Sequence, residues 1–365
     1  MKVLHVLYSG LGGHGNVFYS MVDADEQHVF EYEALFFGIE DVRHNYVEKA
    51  AAKNIPWHFV KKKPGIDLAS YRQIVSIIKK AAPEIIFIHT SAYIFPAKWA
   101  SLFSRKKMKV IVRETQPNHL KTKFEWLGLC VALLAAHKVV FLSTEYRDEI
   151  KKKLQLLFSG KRTAVIPNGI NLSLFRPFSQ LKDENFVHIG MQSRLSVTKD
   201  HSTLLEAFAI LMAAENSGKK LQLNIAGDGE CRPALEALAA KLNISGRVVF
   251  SGMLEEKDLP AFINNQDIYV HASLGETMST AIMQVMACKK PVVASDVDGI
   301  NNMVKDGING LLVKPKQPQL LANAIAKLIA DKNMRHSLAE NAYTNALEKF
   351  SNKKMFESYK AIFTK

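Results

Sequence analysis

Cysteine and tryptophan are scarce in this chain, with three of each in 365 residues. Cys130, Cys231 and Cys288 lie far apart, are odd in number and show no C-x-x-C spacing, which argues against a disulfide framework and against a zinc site. They read as small buried apolar residues. Long apolar runs are missing too: the longest, Leu127 to Ala136, covers about ten residues, where a helix needs about twenty to cross a bilayer. The opening MKVLHVLYSG offers about six apolar residues before a glycine-rich turn, too few for a secretory signal. It reads as a buried first strand, and a cytoplasmic location is expected. No low-complexity tract or fixed-period repeat appears, which sets disorder and solenoids aside. Zinc-finger spacing, a heptad-linked basic region and an RNA-binding aromatic signature are all absent, so no nucleic-acid partner is expected.

What is present is a soluble, mixed composition, 48% apolar and 23% charged, with length enough for two domains. The net charge of +13 is unevenly spread. Residues 1–178 carry 26 Lys and Arg against 15 Asp and Glu, a surplus of +11, while residues 179–365 carry 22 against 20, a surplus of +2. A basic half-molecule calls for an anionic partner, either a phosphorylated acceptor or anionic lipid headgroups.

Short runs rich in β-branched residues alternate with helical patterns from the start: Val3–Tyr8, Ile85–His89, Val110–Val112 and Val139–Leu142 read as buried parallel strands. After Pro177 the cycle restarts with Val187–Gly190, Leu221–Ala226, Val248–Phe250, Ile268–His271, Pro291–Ala294 and Gly310–Val313. The expected fold class is therefore α/β, with two Rossmann-like doubly wound domains facing a central cleft. The domains are expected over residues 1–177 and 178–349, joined near Phe175–Glu184, with a C-terminal helix at about 350–365 packing back on the first.

The first strand runs into Gly10-Leu11-Gly12-Gly13-His14-Gly15-Asn16, where glycines let backbone approach a phosphate or sugar. The spacing is not that of a dinucleotide fingerprint. In the second half, Arg194 follows a strand and Lys199 opens the next helix, two cations suited to a diphosphate leaving group. Ile225-Ala226-Gly227-Asp228-Gly229 ends another strand in a glycine turn. Ser273 to Thr280, containing Glu276, Met278 and Ser279, then opens a helix whose amides can receive phosphate.

Taken in order, PNGIN (Pro167–Asn171), SRLSVTKD (Ser193–Asp200), IAGDGE (Ile225–Glu230), GETMSTAIMQVMACKKPVVASDVDG (Gly275–Gly299) and NGLLV (Asn309–Val313) resemble the family-four glycosyltransferases, retaining enzymes of the GT-B fold, notably those of bacterial cell-surface polysaccharide and lipopolysaccharide synthesis. The resemblance is strong from about 165 to 330 and weak before. It implies catalytic roles for Glu276, Arg194 and Lys199, with Arg194 and Lys199 on the donor diphosphate and Glu276 on the donor sugar. Gly13, Gly227, Asp228, Met278, Ser279, Thr280 and Gln284 would complete the donor site. Where the family places a second glutamate two helical turns past Glu276, this chain has Gln284, which keeps an acceptor oxygen for ribose hydroxyls and loses the charge. Where many relatives carry a histidine after the strand Val110–Val112, this chain has Thr115, leaving His14, Glu114 and His119 as possible acceptor-side groups.

The resemblance implies transfer of a hexosyl or N-acetylhexosaminyl group from a nucleotide diphosphate sugar, with uracil favoured over guanine, to a glycan or lipid-linked acceptor. No cofactor is expected, and metal independence is expected because basic residues can do a metal's work. A non-catalytic nucleotide-sugar-binding subunit and another GT-B enzyme, such as a nucleotide-sugar epimerase, are the alternatives. Finally, Lys98–Lys109 reads as one helical segment with Trp99, Leu102 and Phe103 on one face and five basic residues, to which Lys61–Lys63 and Lys151–Lys153 add. Two readings stand: peripheral binding to an anionic membrane on its cytoplasmic face, or packing of Trp99 and Phe103 onto the protein's own sheet.

Overall fold

The computed structural model describes residues 1–10, 13–65, 67–104, 106–179, 183, 185–214 and 220–365. The chain forms two compact units, one of Met1–Asn171 with Asn352–Lys365 and one of Leu172–Ser351. The first unit thus ends a few residues before Pro177 and takes back the C-terminal segment.

The first unit is built on seven parallel strands: β1 (Lys2–Tyr8), β2 (Glu31–Gly38), β3 (Trp57–Lys61), β4 (Ile85–Ile88), β5 (Lys109–Arg113), β6 (Lys138–Phe141) and β7 (Thr163–Val165), in the order β3-β2-β1-β4-β5-β6-β7. The side-chain period of two divides each strand between two apolar layers. Along β1, Val3 and Leu7 enter the layer under α1 (Gly13–Ala24) and α2 (His44–Ala52). Leu4 and Val6 enter the layer under α3 (Leu68–Ala81), α4 (Ile94–Leu102) and α5 (Lys123–Ala135). Both faces are covered, which is why the strands read as continuous apolar runs.

Sequence reading misses β2, β3 and β7. In β2 the first residues are Glu-Tyr-Glu, a poor strand signal. The buried Glu33 is matched by Lys2 Nζ at 2.6 Å and His58 Nε2 at 2.6 Å on the strands to either side. That cross-strand pairing cannot be seen one strand at a time. The strand β3 lies at a sheet edge and is mostly half-exposed, and β7 has only three residues.

The helix α6 (Thr144–Lys153) follows β6, and the last helix, α13 (Asn352–Phe363), closes the α1 face. Phe363 meets Phe30 at 5.3 Å between ring centroids, and Tyr359 meets Phe87 at 5.0 Å. The backbone N–H of Asn352 donates to Ile170 O at 2.9 Å, seating the helix where it re-enters the unit.

The second unit has six parallel strands: β8 (Phe186–Gln192), β9 (Lys220–Ala226), β10 (Val248–Gly252), β11 (Ile268–His271), β12 (Val292–Ser295) and β13 (Leu311–Val313), in the order β10-β9-β8-β11-β12-β13. Its helices are α7 (His201–Ala213), α8 (Arg232–Lys241), α9 (Leu259–Asn264), α10 (Thr280–Ala287), α11 (Pro318–Ala330) and α12 (Lys332–Lys349). Its core joins Ile189, Leu223, Ile268 and Val293 of the sheet to Leu204 and Phe208 of α7 and Ile325 of α11. In each unit the strand order reverses once, at β1 and β4 in the first and at β8 and β11 in the second. Open parallel sheets place ligands at the carboxyl ends of such strands.

Candidate active site

In the second unit the loops after β8 and β11 meet. Beyond β8 a short 3₁₀ turn, Val197–Lys199, precedes α7, and the loop 272–279 follows β11. Three bonds join the two loops: Leu274 N–H donates to Thr198 O at 2.9 Å, Ser273 Oγ donates to Thr198 O at 3.2 Å, and Lys199 Nζ donates to Glu276 Oε1. Glu276 Oε1 also accepts from His271 Nε2 at 3.0 Å, and Ser279 Oγ lies 3.2 Å from the same nitrogen.

This triad sets the charge state of Glu276. Burial alone would raise its carboxyl pKa, but Lys199 and the His271 bond outweigh burial and hold it at about 2. Burial lowers the His271 pKa, with the Glu276 bond opposing. The imidazole therefore donates from Nε2 while its buried Nδ1 has no hydrogen-bond partner among the described residues. The arrangement is an ionised carboxylate, held from two sides, at the end of a central strand.

Glu276 lies in the loop ahead of the helix to which the sequence reading assigns it. The helix α10 begins at Thr280, with Ser279 Oγ capping it by accepting from Ile282 N–H at 3.4 Å, and Met278 and Thr280 are half-buried beside the cap. Gln284 is on α10 and buried, and its Oε1 accepts from Gln192 Nε2 of β8 at 2.6 Å. Arg194 is half-buried in the same turn as Ser196, whose N–H donates to Arg194 O at 3.0 Å.

Gly227 stands where the chain leaves β9, with φ at +139°, in a region that L side chains rarely adopt. A β-carbon there would lie 1.9 Å from Ser193 O. The glycine lets the β9 loop press against the turn that carries Arg194, and Leu195 N–H donates to Asp228 O at 3.0 Å across that contact. The Asp228 carboxylate accepts from Gly229 N–H at 2.8 Å and faces Arg232 at 3.4 Å. His201, which sequence reading passes over, lies 3.0 Å from Ser193 Oγ, and burial brings its pKa to about 3.

In the first unit, Leu11 and Gly12 of the glycine loop and the His119 side chain lie outside the described residues. Gly13 is the first residue of α1 and exposed, and a β-carbon there would meet nothing within 4 Å. His14 is drawn inward. Its Nδ1 accepts from Tyr8 N–H at 3.4 Å, and its Nε2 lies 3.1 Å from Thr115 Oγ1, which itself donates to His89 O at 3.0 Å. Thr115, which stands where the family resemblance calls for a histidine, thus has a histidine beside it from another element.

Behind them runs a buried chain that sequence reading misses. Arg113 donates to His89 Nδ1 at 3.4 Å and to Asn168 Oδ1 at 2.5 Å, and His89 Nε2 lies 3.0 Å from His5 Nδ1. Since His89 Nδ1 accepts, its Nε2 carries the proton and donates to His5. Glu114 has other partners: its fully buried carboxylate lies 3.4 Å from Lys121 Nζ and accepts from Tyr146 O–H at 3.3 Å. Its surroundings are those of a brace for the loop after β5.

Two Asp-x-Asp triplets occur, and each has structural partners. Asp23 pairs with Lys53 at 2.5 Å, Asp25 accepts from Val29 N–H at 2.8 Å and Phe30 N–H at 3.0 Å, and Asp296 accepts from Asn301 at 3.2 Å. Among the described residues no group of three or more His, Cys, Asp or Glu is gathered as a metal ion requires.

Comparison with known proteins gives the same fold and a family. The model for glycosyl transferases group 1 matches residues 175–345, and that for Glycosyltransferase Family 4 matches residues 11–174. Alpha-D-kanosaminyltransferase of Streptomyces kanamyceticus is 29% identical over 60% of this chain and 58% of its own. Alpha-monoglucosyldiacylglycerol synthase of Streptococcus pneumoniae is 30% identical over 60% of this chain and 49% of its own. The chain therefore spans about half to three fifths of these relatives' lengths. Among solved structures, Anabaena HepE in complex with UDP and glucose superposes with a TM-score of 0.82 at 21% identity, over 100% of this chain and 99% of that one. The two Rossmann-like units are those of the GT-B fold, and the chain carries the two domains of a glycosyltransferase, Glycosyltransferase Family 4 over residues 11–174 and glycosyl transferases group 1 over residues 175–345.

Proposed function

We propose that this chain is a retaining glycosyltransferase that moves a hexosyl or N-acetylhexosaminyl group from a nucleotide diphosphate sugar, UDP in preference to GDP, to a glycan or lipid-linked acceptor of cell-surface polysaccharide or lipopolysaccharide synthesis. The observation that carries this reading is the Lys199–Glu276–His271 cluster at the β8–β11 strand-order reversal. An ionised carboxylate only accepts hydrogen bonds, so Glu276 suits sugar hydroxyls, while Lys199 and Arg194 supply positive charge for a departing diphosphate. In a retaining transfer the leaving diphosphate takes the acceptor's proton on the face it departs from, so positioning and electrostatics are the protein's main tasks.

The choice of UDP draws support from HepE, described with UDP and glucose, and the lipid acceptor from the glucosyldiacylglycerol synthase. We place the protein in the cytoplasm, peripheral to the inner face of the plasma membrane, and expect no metal requirement. A thermal-shift panel of nucleotides tests the donor. A ligand at 100 times its dissociation constant stabilises by about 2.7 kcal/mol, and UDP and a UDP-sugar should do so in the presence of a chelator. Sugar release or transfer from the stabilising donor should follow. Stabilisation without either outcome would make the chain a binder and sink the transferase reading.

A further inference from the structure

The outward side of α4 and α5 is apolar over two adjacent helices. On α4, Ile94, Ala97 and Ala100 point into the core, and this leaves Trp99 61% exposed, Leu102 70% and, one residue past the helix, Phe103 63%. On α5, Leu129, Ala132 and Leu133 point inward, leaving Leu127 53% and Leu134 55% exposed. The packing of Trp99 and Phe103 onto the sheet, one of the two readings of this segment, is therefore not found. Nor is Lys98–Lys109 one helix, since α4 stops at Leu102 and Lys109 begins β5.

The two helices form one surface. Phe95 and Phe124, near their N-terminal ends, meet at 5.3 Å, and Trp99 meets Phe103 at 5.2 Å with the ring planes tilted by 41°. A β-carbon on Gly128 of α5 would come 2.8 Å from Ser91 O just ahead of α4, so only glycine allows this approach. Single exposed apolar residues are ordinary on a soluble protein, but five large ones on two packed helices are not.

Charge decides what this surface meets. Lys98 lies on α4, Lys106 and Lys107 follow it, and Lys123 opens α5. Of the nearby acids, Glu125 turns back to cap its own helix through Thr122, and Glu84 lies 3.4 Å from Lys106. The rim is basic within a unit whose sequence carries all of the net charge. Two copies apposed through this face would set like charges against each other, whereas an anionic bilayer meets the cations with phosphates and the aromatic rings with its headgroup boundary.

We propose that the outer face of α4 and α5 docks the first unit on an anionic bilayer, with Trp99, Leu102 and Phe103 entering the headgroup region and Lys98, Lys106 and Lys107 meeting lipid phosphates. This names the surface for the membrane partner in the functional reading and rests on that reading only for what the acceptor is.

Co-sedimentation with phosphatidylcholine vesicles, with and without phosphatidylglycerol, tests it at low and high salt. The protein should sediment with the anionic vesicles and be released by salt. Trp99→Ser with Phe103→Ser should weaken binding by about tenfold or more, and Lys106→Glu with Lys107→Glu by a similar factor on anionic vesicles alone. An unchanged melting temperature and an unchanged UDP-induced shift would show each variant folded. Failure of the wild type to bind anionic vesicles at low salt overturns the proposal, as does equal binding by the Trp99 and Phe103 variant. A dimer dispersed by those same substitutions, without vesicle binding, assigns the face to a second copy instead. Vesicle binding by a protein that UDP fails to stabilise would leave this surface standing and remove the donor reading.

Discussion

Gln192 Nε2 donates to Gln284 Oε1 at 2.6 Å inside the second unit, so the amide found in place of the commoner glutamate already has a partner on the neighbouring strand. Gln284 is buried, and a carboxylate there would keep that one donor while bringing a charge out of water. Gln284→Glu should fold and remain active, with stability lower by about 1 to 3 kcal/mol without ligand and with altered nucleotide affinity. Denaturant titration and UDP calorimetry measure the two effects. A well-folded, inactive Gln284→Glu would mean that the neutral amide is required by the chemistry.

Glu276 and Lys199 should matter to turnover far more than to folding. Each alanine substitution is expected to slow transfer by tens to thousands of fold, corresponding to about 2 to 4 kcal/mol of transition-state stabilisation. With its pKa held at about 2, Glu276 stays ionised in the folded protein, and its acidity contributes no limb to a rate profile above about pH 4. Lys199→Met removes the largest influence lowering that pKa and lets burial raise it, so an acid limb should move up toward neutrality in the variant. Near-normal turnover in both alanine variants would remove these residues from the site.

The roles assigned to these residues from sequence and their surroundings were legible to different depths. The ten strands read from the sequence all exist, because parallel strands covered on both faces are written locally as short apolar runs. Lys199 and Glu276 could be singled out because each follows a strand in a recognisable motif. His271 and His201 could not, since one is the last residue of β11 and the other opens α7, and each finds its polar partner, Glu276 or Ser193, only where its own loop folds back on it. The buried His5–His89–Arg113 chain is hidden in another way: its members come from β1, from just past β4 and from β5, three strands adjacent only in space.

Gly227 offers a stability test that does not depend on any role in catalysis. A methyl group there meets Ser193 O at 1.9 Å, on backbone already at φ +139°, and neither neighbour can move without displacing the turn carrying Arg194. Gly227→Ala should lose about 2 to 4 kcal/mol, several degrees in melting temperature. Gly160→Ala, where a β-carbon would meet nothing within 4 Å, serves as the control and should be nearly neutral. Equal stability of the two variants would contradict the close approach of the β8 and β9 loops.

His14 is the histidine that stands beside Thr115, and its titration separates a chemical role from a structural one. Burial, with help from Arg113, lowers its pKa to about 3, and burial alone does the same for His5. Both remain neutral in the folded protein at any pH where an enzyme would be assayed, and both take up a proton below their ordinary value of 6.5 once unfolded. Their contribution to stability is therefore complete above about pH 6.5 and declines as pH falls toward 3. Chemical denaturation at pH 7 and pH 5 should show the loss, and His14→Asn should make the difference smaller. If His14 also meets the acceptor side, the same variant lowers kcat/KM for transfer by about ten- to a hundredfold and leaves UDP binding unchanged. A variant that changes the pH dependence of stability while transferring sugar at the normal rate would make His14 a packing residue.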